Sequence, residues 1–109
     1  MKKLVDVAAI IRSKNSGPFE LTLDVMFTDE KSYSRFVEGN YLNAAKVAGL
    51  YKIREDEVVD IVAFPKAKAV KATIRRPLAS GALGERDVYG AQQHVPLMMM
   101  ELPGWEDER

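Results

Sequence analysis

Residues 19–27, Phe-Glu-Leu-Thr-Leu-Asp-Val-Met-Phe, decide the fold class. Phe19, Leu21, Leu23, Val25 and Phe27 alternate with Glu20, Thr22, Asp24 and Met26. A period of two puts the first set on one side of an extended chain and leaves the other side mostly polar. The stretch reads as a strand with one buried and one wet face. The period then changes. Thr28 is expected to cap a helix, with Asp29 and Glu30 in its first turn, where the dipole favours acids. Tyr33, Phe36 and Val37 form an i, i+3, i+4 stripe, and Gly39 is expected to close that helix as a left-handed C-cap. A second short helix is expected over Leu42–Tyr51, with Val47, Leu50 and Tyr51 on one side.

Further along, the pattern returns to strands. Glu57–Phe64 carries branched residues on both faces and reads as a central strand. Pro65 and Lys66 mark a turn. In Lys68–Arg76, Val70, Ala72 and Ile74 alternate with Lys71, Thr73 and Arg75, a strand with one wet face. Val95–Leu102 is apolar on both faces and reads as the last strand. Its Met98, Met99 and Met100 are expected to bury against another chain. Leu4–Arg12 is expected to add a short helix or strand. This order implies an α+β fold, a ferredoxin-like sandwich with one antiparallel sheet, helices on one face and a reduced second crossover helix. Residues 1–109 are expected to form a single domain, with 103–109 a frayed tail.

Composition narrows the function. A chain of 109 residues is one domain, long enough to bury about two-thirds of its unfolded surface. Sixteen basic and sixteen acidic residues balance, which argues against a nucleic-acid or acidic-membrane partner. The sheet also lacks the aromatic motifs of RNA-binding domains. There is no cysteine, so thiol catalysis, cysteine zinc sites and disulfides are excluded. With one histidine, any metal site would be mostly carboxylate, and no metal or other cofactor is expected. The start, MKKLVDVAAIIRSKN, is too short an apolar run for a signal peptide, and no run is long enough to span a membrane. A cytoplasmic protein is the expectation.

Three stretches carry chemistry. In Arg12-Ser13-Lys14-Asn15-Ser16-Gly17-Pro18, two cations, hydroxyls and an amide sit in a loop that Gly17 can turn and Pro18 stiffens, a candidate anion cradle. It lacks the spacing of a phosphate-binding loop, and a solvated turn explains it equally well. In Lys71-Ala72-Thr73-Ile74-Arg75, alternation points Lys71, Thr73 and Arg75 the same way, a row suited to phosphate or carboxylate. A solvated sheet face is the plainer reading. The third stretch, Asp87-Val88-Tyr89-Gly90-Ala91-Gln92-Gln93-His94, holds the sole histidine. His94 is a candidate proton-transfer group with Asp87 as its orienting partner, and Tyr89, Gln92 and Gln93 are candidate amide and hydroxyl contacts. A lone histidine before a strand is more often structural. No serine-histidine-acid set is legible. Trp105 reads as a tail aromatic that covers the core.

Together, RSKNSGPFELTLDVMF, KATIRRP and DVYGAQQHVPL resemble small bacterial proteins grouped as a domain of unknown function, encoded beside or fused to large proteins of the acyclic terpene utilisation (AtuA) type. The likeness runs from about Leu4 to Pro103. Arg12, Ser13 and Gly17 are also similar to the Arg-Ser-x-x-x-Gly opening of the small domain that ends AtuA-like proteins, though Lys14 and Asn15 replace its acid. The resemblance implies a ferredoxin-like fold, a large AtuA-like partner and a setting in acyl-CoA or hydroxy-acid catabolism. The expected function is an accessory small subunit or domain of a catabolic enzyme. Arg12, Ser13, Lys14, Asn15, Lys71 and Arg75 would complete a cationic cleft for an anionic substrate, beside His94. The chain would be enzymatic only within that complex, as a homo- or hetero-oligomer. The alternative is a regulatory module that binds a small metabolite without catalysis.

Overall fold

The computed structural model describes residues 2–17, 19–75 and 93–105. The chain opens with a single helical turn, α1 (Leu4–Val7), then β1 (Ile10–Asn15) and β2 (Glu20–Met26). Gly17 turns this hairpin at φ +113°, a conformation that costs only glycine nothing. Two helices follow, α2 (Glu30–Glu38) and α3 (Ala44–Tyr51), then a second hairpin of β3 (Val58–Phe64) and β4 (Ala69–Arg75). Short 3-10 turns at Glu55–Glu57 and Pro65–Ala67 bracket β3. A last helical turn, α4 (Val95–Met98), comes before the end segment.

The four strands make one antiparallel sheet in the order β1-β2-β4-β3. Its central strands show the expected alternation, except that Phe19 falls before β2 and is exposed and Thr22 on the other side is buried. Leu21, Leu23 and Val25 of β2 and Val70, Ala72 and Ile74 of β4 are buried against the helices. Tyr33, Phe36 and Val47 pack on them from α2 and α3, and Leu4, Leu97 and Leu102 from the terminal segments. Burial of such side chains contributes roughly 1.5–3 kcal/mol each, so this layer carries the stability. No helix among the described residues is long and apolar enough to cross a membrane.

Several expectations need correction. Val95–Leu102 is not a strand. Met98 N–H donates to the His94 carbonyl and Met99 N–H to that of Val95, while Pro96 stands in the first turn of α4. Proline cannot donate to a sheet ladder but is preorganised for a helix start, and this outweighs the apolar pattern. Only Glu101 makes a bridge, to Lys3. Met100 is buried in the chain's own core while Met99 is exposed, so these methionines do not form a strand face awaiting a partner. Residues 103–105 are anchored as well, although Pro103 and Gly104 are exposed. Trp105 is buried, with the Arg35 guanidinium 4.6 Å above its ring. Tyr41 Oη donates to the Pro103 carbonyl at 2.8 Å and Arg35 to that of Gly104 at 3.0 Å.

The helix starts differ by one or two residues from expectation, α2 beginning at Glu30 and α3 at Ala44. Asp29, not Thr28, caps α2 by accepting the Ser32 N–H at 2.8 Å, and those bonds to Ser32 hold its carboxyl below its usual range. Gly39 is right-handed at φ −77°, and Asn40 takes the positive φ. Gly39 serves close approach instead, because a Cβ there would lie 2.6 Å from the Tyr41 ring. Asn43 caps α3 through the Lys46 N–H at 2.9 Å. Finally, β3 lies at an edge of the sheet and not at its centre. Its branched residues are not covered on both faces.

Candidate functional site

The side of the sheet away from the helices carries the second residue set of each strand. In register across it, Arg12 of β1 faces Asp24 of β2, and Asp24 faces Lys71 of β4. One step of two along, Lys14 faces Thr22, and Thr22 faces Thr73. Because strands lie about 4.8 Å apart, these side chains form a compact cross-strand array. All of them but Thr73 line a groove of about 560 Å³. Met26, Phe64 and Ala69 line its other end, at the level where β4 turns back to β3. One end of the groove is therefore cationic and the other apolar.

Among the described residues, the only acid in this lining is Asp24. Arg12 Nε donates to its carboxylate at 3.1 Å, with Asp24 15% and Arg12 58% exposed. The pair leaves much of the guanidinium facing solvent, and exposed pairs of this kind are individually weak. Thr22 Oγ1 donates to the Lys14 carbonyl at 3.2 Å. This bond leaves the lysine side chain uninvolved. Three cations against one acid leave an excess of two positive charges on a concave, partly apolar surface. Such an array can hold a carboxylate or phosphate by charge-assisted hydrogen bonds, with Arg12 able to bind it bidentately.

The structure thus brings together Arg12, Lys14 and Lys71 from the expected set. Ser13 and Asn15 alternate to the helical side of β1. Arg75 shares the open face but sits level with Glu20, four positions from the level of Arg12 and Lys71, or about 13 Å along the strand. It does not line the groove. Gln93 and His94 enter α4 in the helical layer, where the Tyr51 hydroxyl of α3 donates to the Gln93 carbonyl at 2.6 Å. Burial pushes that hydroxyl well above the usual tyrosine range. The histidine and the three groove cations are therefore on opposite sides of the sheet, and no single cleft unites them. Asp87, Tyr89 and Gln92 lie outside the described residues. Among the described residues, no group of three His, Asp or Glu side chains is placed to hold a metal ion.

Sequence reasoning misses Thr22, Asp24 and Met26 as groove residues, although the period-two pattern that defines the strand puts them on the wet face. Phe64, Ala67 and Ala69 carry no such signal. They reach the groove only through the hairpin register of β3 and β4.

A family model described as Domain of unknown function (DUF4387) matches residues 4–101. No curated protein and no solved structure matches the chain.

Proposed function

The chain belongs to the DUF4387 family, a domain of unknown function, and on that premise we propose that it binds a small organic anion on the open face of its sheet. The observation that carries this reading is the cross-strand array of Arg12, Lys14 and Lys71 around the single acid Asp24, beside Met26, Ala69 and Phe64. A ligand with a carboxylate or phosphate joined to an apolar body matches both ends of the groove. Acyl-CoA thioesters and short hydroxy or acyl acids have that character. This agrees with the resemblance to partners of AtuA-like enzymes. In this reading the chain is an accessory subunit or domain that supplies part of an anionic-substrate site to a larger protein.

The ferredoxin-like reading fits the same geometry. β2, the α2–α3 pair, β3 and β4 make a split β-α-β unit with β4 inserted between β2 and β3. The edge beside β2, which the final strand would take in that fold, is held by β1.

One observation favours a metabolite-binding regulatory module over a chemical role. Among the described groove residues, no group is placed as a free general base, since Asp24 is engaged by Arg12. His94 has no part in the groove. The test is isothermal titration of the full chain with butyrate, butyryl-CoA and inorganic phosphate. The expected result is saturable binding of at least one of them, weakened at least tenfold in Lys71→Met and Arg12→Met. Absence of binding by the chain alone and by its complex with an AtuA-like protein would overturn the proposal.

A further inference from the structure

The two outer strands of the sheet are built differently, and the difference points to a second copy of this chain. β1 carries Arg12 and Lys14 on its open-face side, the charged guard that keeps an edge from pairing. β3 reads Val-Val-Asp-Ile-Val-Ala-Phe over residues 58–64, with no lysine, arginine or proline and a single acid. Among the described residues no strand pairs with its outer side. Val59, Val62 and Phe64 are 43%, 39% and 44% exposed. On the helical side, an open cleft of about 170 Å³ runs along the same strand between Val37 and Leu42 on one side and Ile61 and Ala63 on the other. Val58 and Ile61 pack on the core from the helical side, and the register is irregular between Val58 and Asp60. Beyond that point the apolar run to Phe64 has an open outer edge, a template for another strand.

We infer that β3 is the seam of a homodimer, in which two β3 strands pair antiparallel about a twofold axis to make one eight-stranded sheet. Charge selects both the occupant and its direction. The 3-10 turn before β3 is Glu55-Asp56-Glu57. Arg54 bonds to Asp56 at 3.0 Å, but the four residues keep an excess of two negative charges. The turn after β3 carries Lys66, and Lys68 follows it. Antiparallel self-pairing sets the acidic turn of each copy against the basic turn of the other, at both ends of the seam. Parallel addition would set acid against acid. A twofold through Ile61 places Asp56 level with Lys66 of the second copy, and one through Val62 places it level with Lys68. Both registers keep the helices of the two copies on one side of the joined sheet. The register through Ile61 sets Val58 of the second copy level with Phe64, and the one through Val62 sets Asp60 there, so either bears on one wall of the anion groove. The seam stands whether or not that groove binds an anion.

Analytical ultracentrifugation of the full chain from low-micromolar to millimolar concentration tests this. The wild type should reach twice its monomer mass. Val62→Lys should weaken self-association at least tenfold, whereas Ile10→Lys, exposed on the opposite edge strand β1, should not change it. Two double variants in the turns that flank β3, where Glu55, Asp56 and Lys66 are exposed and Lys68 is half-buried, keep the test independent of any folding defect in β3. Glu55→Lys with Asp56→Lys, and Lys66→Glu with Lys68→Glu, should each self-associate poorly, and mixing them should restore a heterodimer. A wild type that stays monomeric throughout would overturn the inference. So would a Val62→Lys protein that dimerises like the wild type, or a mixture of the two charge variants that associates no better than either alone. A monomer that instead captures an AtuA-like protein through β3 would assign the edge to a different partner and would likewise overturn it.

Discussion

The two faces of the sheet come from the same strands and answer to different demands. Leu21, Leu23 and Val25 are sealed under the helices. Glu20, Thr22, Asp24 and Met26, one residue out of phase with them, look the other way. The covered face needs only apolar bulk of the right shape, and its pattern is what folding requires. The open face has no such requirement. A sheet can be solvated there by any mixture of polar residues, yet this one gathers Arg12, Lys14 and Lys71 around one acid and sets apolar residues at the far end of the groove. Concentrated charge of one sign on a concave surface costs self-repulsion that a bound anion would relieve. The contrast separates residues that hold the fold from residues that the fold holds in place.

That separation can be broken experimentally. The largest effect is expected on the covered face. Leu23→Ala, at a fully buried position, should cost about 3 kcal/mol of unfolding free energy, measured by urea denaturation. The protein that remains folded should bind anions normally. Asn43→Ala removes the cap of α3, which accepts the Lys46 N–H, and should cost about 1 kcal/mol without touching the groove. The open face should behave in the opposite way. Lys71→Met should change stability by less than about 0.5 kcal/mol and still weaken anion binding at least tenfold. Asp24→Asn should leave stability within about 1 kcal/mol, since it removes only a partly exposed ion pair, and should tighten anion binding because the one opposing charge is gone. If Asp24→Asn weakened binding instead, the acid would be a ligand contact and the two-face separation would be too simple.

Much of the covered face is legible in the amino-acid sequence. The strand at residues 19–27, its partner at 68–76 and the two helices between 29 and 51 follow from a change of period that each residue reports locally. The errors share a cause. Val95–Leu102 resembles a strand because apolar runs carry no period, and Pro96 is the residue that decides against it. β3 resembles a central strand because it is branched on both sides. Strand order is a long-range property, and an exposed seam and a buried core strand use the same residues. The groove is half legible. Charge alone marks Arg12, Lys14 and Lys71, but their assembly depends on registers that no single segment encodes. A sequence is equally silent about which layer a residue joins, so it groups His94 with these cations although the sheet keeps them apart.

In the proposed function the anion sits over the middle of the open face. The most direct measurement is amide and side-chain chemical-shift mapping of the full chain titrated with butyryl-CoA, with butyrate and inorganic phosphate in parallel. Saturating shifts are expected at Arg12, Lys14, Thr22, Asp24 and Lys71, with Met26 and Ala69 responding when the ligand carries an acyl chain, and little change at Val47 or His94. Saturating shifts centred on His94 and the helical layer, with the five open-face residues unmoved, would contradict it.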